Sequence, residues 1–194
     1  MSRTATTARR FVRGVIPPSC PGHGEFAGQR PQDEDVDWKI TRIDVAHPDA
    51  VAIMRDYMDE VASRYYGRPI TEAELTHYVA EEPGTDLVPP TGAFLVGYVG
   101  GKVGGCAGTR VVAPGISELT KVFVKPAHRG SGGAPALVAA AEDAARELGS
   151  RLMRLDTRHD LVEARALYAK VGYAEVEPFN DGQFAEHWFA KPLS

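Results

Sequence analysis

Cysteine is nearly missing from this chain: two occur in 194 residues, Cys20 and Cys106. They match neither a CxxC pair nor a Cys/His ligand spacing, which argues against a disulfide framework and against a metal site. Cys106 lies in the small-residue run Gly104-Gly105-Cys106-Ala107-Gly108 and reads as a packed thiol, since a reactive one needs an electropositive, partly exposed setting. Long apolar runs are also lacking. None reaches the roughly 18 to 20 residues that a membrane-spanning helix needs, so a cytoplasmic protein with no membrane partner is expected. Positive charge is in short supply, with 22 Lys and Arg against 26 Asp and Glu and a net charge of -4. Broad attraction to nucleic-acid phosphates is therefore not expected.

What is present is an ordinary globular balance, 43% hydrophobic and 25% charged, in a chain of one-domain length. Residues 1 to 36 carry Arg3, Arg9, Arg10, Arg13 and Arg30, scattered Pro and Gly, then the acidic cluster Asp33-Glu34-Asp35. They read as a poorly ordered arm, with a docked element or a targeting segment as the alternatives. The domain is expected over residues 37 to 194.

Trp38 to Val45 alternates apolar and polar residues as a half-buried strand does. Pro48 and Asp49 then open a helix in which Val51, Met54, Met58, Val61 and Tyr65 recur at helical spacing before Gly67. Thr71-Glu72-Ala73-Glu74 starts a second, short helix, its hydroxyl and acids suited to unpaired amides. Three β-rich runs follow, Ala93 to Val99, Lys102 to Val112 and Glu118 to Val124, separated by Gly100-Gly101 and Pro114-Gly115. The spacing predicts a helix over 132–148, with Leu137, Ala141, Ala144, Ala145 and Leu148 on one face. Leu152 to Leu155 reads as a strand, 161–171 as a helix, and Tyr173 to Glu177 and His187 to Lys191 as closing strands. The fold class is α/β: one mixed, mostly antiparallel sheet of about seven strands with about four helices.

The most informative segment joins a predicted strand to the strongest helix: Val122-Phe123-Val124-Lys125-Pro126-Ala127-His128-Arg129-Gly130-Ser131-Gly132-Gly133-Ala134. A helix start presents unpaired N–H groups and partial positive charge, and small residues let an anion approach the backbone. A Walker loop needs GxxxxGK and then Ser or Thr, and a dinucleotide fold needs GxGxxG after the first strand of a βαβ unit; neither is present.

With Glu118-Leu119-Thr120-Lys121-Val122-Phe123-Val124 ahead of it, Arg129 to Ala134 resembles motif A of the GNAT superfamily, R/Q-x-x-G-x-G/A. Leu155-Asp156-Thr157 with Ala164-Arg165-Ala166-Leu167-Tyr168-Ala169-Lys170-Val171-Gly172-Tyr173 resembles motif B. The likeness covers about residues 38 to 194 and implies a GNAT-like domain that transfers acetyl from acetyl-CoA to a primary amine by direct attack in a ternary complex. It implies acetyl-CoA as co-substrate and no metal. The strand Val122, Phe123 and Val124 would hold the pantetheine arm. The pyrophosphate would lie on Arg129, Gly130, Ser131, Gly132, Gly133 and Ala134. A bulge would splay this strand from the one at Leu152.

The resemblance also puts Tyr168 at the CoA sulfur as general acid, against its alternative as a core aromatic, and Glu118 as general base, against an exposed strand carboxylate. A non-catalytic acyl-CoA-binding regulatory domain is the rival reading. Two positions depart from the family pattern. Leu161 stands where many relatives have Asn, with Asp160 or Asn180 as conceivable polar replacements, and Gly133 stands where Ile, Val or Leu is common. His128, His159 and His187 are of a residue type suited to base chemistry, but no second catalytic partner supports any of them. Glu72, Glu74, Glu81, Glu82 and Asp86 lie on the acceptor side implied by the family, where they read first as a solvated helix face and only mildly favour a cationic amine. The acceptor is expected to be a small-molecule or peptide amine, and the protein a monomer or homodimer.

Overall fold

The computed structural model describes residues 36–194; the arm read over 1–36 falls almost wholly outside them. The chain runs β1 (Trp38–Ile43), α1 (Pro48–Tyr66), α2 (Glu72–Glu81), β2 (Gly92–Val99), β3 (Lys102–Ala113), β4 (Ile116–Val124), a 3-10 turn (Pro126–His128), α3 (Gly133–Glu147), β5 (Leu152–Thr157), α4 (Val162–Lys170), β6 (Ala174–Glu175) and β7 (His187–Pro192). Among the described residues the strands form one sheet in the order β1-β2-β3-β4-β5-β7-β6. The α/β class with about seven strands and four helices is as the sequence predicts. All neighbours are antiparallel except β4 and β5, which the crossover through α3 makes parallel.

Local chemistry accounts for the element ends. Thr71 Oγ1 accepts from the Glu74 amide while Glu74 accepts from the Thr71 amide, a reciprocal capping box at the start of α2. Pro48 occupies the first turn of α1, and Gly67 ends that helix in the left-handed region at φ 64°.

The sheet is buried on both faces. On one, Leu137, Val138, Ala141 and Ala145 of α3 pack with Leu95, Ala107, Leu119, Val124, Met153, Leu155 and Tyr168. On the other, Ala50, Ile53 and Met54 of α1 pack with Phe94, Val96, Cys106 and Phe123. Each large apolar side chain so buried contributes roughly 1.5 to 3 kcal/mol. Helix α1 is rotated from the sequence expectation. Val51 and Tyr65 are exposed, and Met58, Val61 and Tyr65 line a cleft instead of the core. Periodicity registers an apolar stripe without distinguishing a core from a ligand wall.

The feature that positions the site is in β4. Cys106 pairs with Phe123 and Gly108 with Thr120, so Lys121 and Val122 together oppose Ala107. That extra residue is a bulge, with Lys121 in the left-handed region at φ 52°, a conformation that costs a non-glycine residue roughly 1 kcal/mol. On the other side, β4 pairs with β5 only at Ile116, Ser117 and Glu118. Beyond Glu118 the two strands part.

Candidate active site

The parted strands open a cleft of about 1480 Å³, larger than the 300 to 1,000 Å³ typical for one small ligand and roomy enough for two substrates. Val122, Phe123, Val124, Gly130, Gly132, Gly133, Ala134, Glu118 and Tyr168 all line it. The structure thus gathers residues spread over about a quarter of the sequence into one place.

Its first wall is the free edge of β4 and the start of α3. Gly132 is the N-cap, at φ 85°, and no side chain caps the helix. The Arg129 amide bonds the Pro126 carbonyl at 3.3 Å and the Ala136 amide that of Gly132 at 3.2 Å, leaving the N–H groups of Gly130 to Ala134 with no backbone partner among the described residues. A Cβ built on Gly130 or Gly132 would meet nothing within 4 Å, so the backbone here is open to an approaching anion. The Arg129 guanidinium is engaged elsewhere. It donates to the Val124 carbonyl at 3.0 Å and to Glu60 at 2.6 Å, tying β4 to α1.

A residue that the sequence reading assigned only to a strand holds this turn. Trp38 Nε1 donates to the Ser131 carbonyl and hydroxyl, both at 3.1 Å, and the Ser131 hydroxyl donates to the His128 carbonyl at 2.7 Å. The His128 ring packs edge-on to the indole at 6.1 Å. A Cβ on Gly133 would fall inside the indole, which explains the departure there: the space of the usual aliphatic side chain is occupied by Trp38. The pairing spans 93 positions, and no local signal announces it.

The second wall carries Tyr168 and Glu118, the two candidates for proton transfer. The Tyr168 ring belongs to the core, packed against Tyr173 and Phe189, each at 5.9 Å, while the residue lines the cleft. The core reading of Tyr168 therefore holds, and the same residue borders the cleft. Burial, with Asp156 nearby, pushes its hydroxyl well above the usual tyrosine range, so it is protonated at neutral pH. Glu118 is not an exposed strand carboxylate: its side chain is 10% exposed. Arg110 donates to its Oε1 at 2.6 Å, and Arg154 lies 3.5 Å from Oε2. Burial opposes the charge on Arg110, but its bonds to Glu118 and Asp86 outweigh that and raise its pKa.

The rest of the sequence candidates fall into place. Leu161 lines the cleft and caps α4 with no side-chain bond. Asp160 is held by Arg158 at 2.8 Å. Asn180 also lines the cleft, donating to Asp156 at 2.9 Å and accepting from Trp188 at 2.8 Å. His159 pairs with Glu186 and His187 with Glu175. The Cys106 thiol is fully buried and donates to the Lys121 carbonyl at 3.3 Å; burial pushes its pKa far up, as befits a packed thiol.

The acidic stretch does not form an open negative field. Glu72 pairs with Arg55, Glu74 with Arg68, Glu81 with His77, Glu82 with Lys121 and Asp86 with Arg110. The mild lean toward a cationic amine is set aside: four of these acids pair with Lys or Arg and Glu81 lies against His77, and charge count along a segment does not reveal pairing across space.

The acetyltransferase (GNAT) family profile matches residues 52–173. The chain is 32% identical over 132 residues to the IAA acetyltransferase of Azospirillum brasilense, covering 68% of this chain and 81% of that one. Its fold is similar to a GNAT-family acetyltransferase from Staphylococcus aureus Mu50, with TM-score 0.66 and 14% identity over 81% of this chain and 100% of that one. It is also similar to the PaiA N-acetyltransferase of Thermoplasma acidophilum in complex with coenzyme A, with TM-score 0.63 and 15% identity over 80% and 99% of the two chains. The family profile over residues 52–173 and the relative at 32% identity thus account for the bulged strand and open helix start of this fold as those of a family member, and the chain belongs to the acetyltransferase (GNAT) family.

Proposed function

We propose that residues 37 to 194 form one catalytic domain that moves an acetyl group from acetyl-CoA to a primary amine by direct attack within a ternary complex. The observation that carries this reading is the parting of β4 from β5 beyond Glu118, with the Tyr168 residue and the open amides of Gly130 to Ala134 on the gap. The edge at Val122 to Val124 offers backbone groups to the pantetheine amides as an added strand would. The bare start of α3 takes the pyrophosphate.

A thioester is already activated, so the protein has chiefly to align it with a neutral amine and manage two protons. The amine nitrogen attacks the acyl carbon, a C–N bond forms, and the C–S bond breaks. Tyr168 gives its proton to the departing sulfur. Glu118 receives the proton lost by the amine, through water where Arg110 holds its near oxygen. An amine with a reference pKa near 10.4 is almost wholly protonated at neutral pH, which is why a carboxylate at the gap matters.

Initial rates measured while varying acetyl-CoA at several amine concentrations should give intersecting double-reciprocal lines. Parallel lines, the mark of an acyl-enzyme, would overturn direct attack. Acetyl-CoA binding with no transfer to any amine would favour the regulatory alternative.

A further inference from the structure

Beside Glu118, the cleft floor holds a second ionic group that the acyl-transfer chemistry does not use. Lys121 is the residue of the β4 bulge, and its side chain is 7% exposed. Leu119 and Val122 belong to the core under α3, whereas Lys121 turns to the α1 side, its ammonium 5.5 Å from the Tyr57 ring centre. Its carboxylate partner is Glu82, 2.8 Å away at the end of α2 and itself 61% exposed.

This pair is lopsided. A lysine so enclosed is costly to leave without a counter-charge, yet the carboxylate it has stands at the solvent edge, where ion pairs contribute little. Another carboxylate can therefore take the place of Glu82 without stranding the cation. Nearby, Arg110, itself 40% exposed, pairs with buried Glu118 on one side and half-exposed Asp86 on the other. Both rim acids lie on the segment between α2 and β2. Taken without them, Arg110 and Lys121 face the cleft beside Glu118, with Arg110 paired to that carboxylate and Lys121 left without one. The remaining rim is aromatic: Tyr65, Tyr66, Tyr78 and Phe184 line the same cleft, and Tyr65, Tyr66 and Phe184 are about half exposed.

Resting on the acyltransferase reading above, we infer that the acceptor is an amino carboxylate with an apolar body: its amine meets Glu118, its carboxylate displaces Glu82 from Lys121, and its side chain lies against the tyrosine rim. The strained bulge then has two effects, freeing the β4 edge for the donor and aiming a buried cation at the acceptor.

The test uses the full chain with L-leucine, L-phenylalanine and 4-aminobutyrate, each beside its carboxamide and its decarboxylated amine, and with spermidine as a purely cationic acceptor. Binding is read as the rise in melting temperature in the presence of CoA, and turnover as release of CoA thiol from acetyl-CoA. At least one free carboxylate should be preferred over its own amide by 10-fold or more in kcat/KM. Lys121→Met should bring that ratio close to one, Lys121→Arg should retain part of it, and Glu82→Gln, which removes the competing carboxylate, should lower KM for the acid several-fold and leave the amide's KM where it was. The ratio cancels any loss common to both compounds, so an impaired variant stays readable. Amides or spermidine used as well as the acids, or variants that move acid and amide together, would overturn the inference. A carboxylate-specific rise in melting temperature with no turnover of any amine would keep the anion subsite and overturn the acyltransferase reading.

Discussion

The two halves of β4 differ by one residue of pairing, and that difference organises the site. Ile116 to Glu118 is held on both sides, by β3 and by β5, and Glu118 is clamped between Arg110 and Arg154. Val122 to Val124 is held by β3 alone, and its other edge faces the cleft. Strand edges are usually a liability that proteins cover. Here the uncovered stretch is short, follows a bulge and ends at an uncapped helix, so it suits a small extended ligand better than another strand. The closed half keeps charges at fixed distances, and the open half leaves backbone groups for a substrate.

The largest expected effect comes from the hydroxyl that borders the open half. Tyr168→Phe should lower kcat by about 100-fold or more, the low end of what general acids contribute, with acetyl-CoA affinity by calorimetry within a factor of two. An unchanged kcat would remove Tyr168 from the reaction and leave the open half as a binding edge only. Next is Gly132→Asp, which sets a negative side chain in the open space above the α3 start and requires an L-residue at φ 85°. Acetyl-CoA binding should weaken on the order of 10- to 100-fold, from lost phosphate contacts and backbone strain. Wild-type affinity would detach the turn from the donor.

A smaller effect separates the turn's own chemistry from its support. Trp38→Phe keeps most of the packing in the glycine cup but deletes the bonds to Ser131, each hydrogen bond contributing about 1 kcal/mol. KM for acetyl-CoA should rise roughly 5-fold with kcat unchanged, and equal changes in both would mean that Trp38 is merely structural. The smallest concerns α2, which leads into the acidic rim. The Arg68 guanidinium, with the Thr71 cap, pushes Glu74 down to about 2. A carboxylate lowered in the folded state stabilises above its unfolded value near 4.3, and that support is lost as pH falls through about 2. Melting temperature followed over that window should fall less steeply in Glu74→Gln than in the parent; identical slopes would detach this carboxylate from folding.

Much of this was legible in the chain before any coordinates. The strand-to-helix turn with its open amides and motif B were both legible, because an uncapped, glycine-rich helix start is built from consecutive residues whose small size and helical context are local properties. Helix α3 was nearly complete from its periodicity. The short β6 was harder to bound: two paired residues leave little pattern, and its place outside β7 depends on the segment between them folding back. The orientation of α1 was misread because Met58, Val61 and Tyr65 are apolar for the cleft rather than for the core. The pairing of the acidic stretch was not legible because the partners of Glu72, Glu82 and Asp86 come from other elements.

By itself, then, the sequence determined the elements, their α/β order and the cradle at Gly130 to Ala134, all of which depend on neighbours within a few residues. Only the tertiary structure decided where β4 leaves β5, that Lys121 and not a glycine forms the bulge, that Trp38 fills the space above Gly133, and which acids are neutralised. These follow from contacts between distant segments packed at a common distance, a condition that no window of the chain contains.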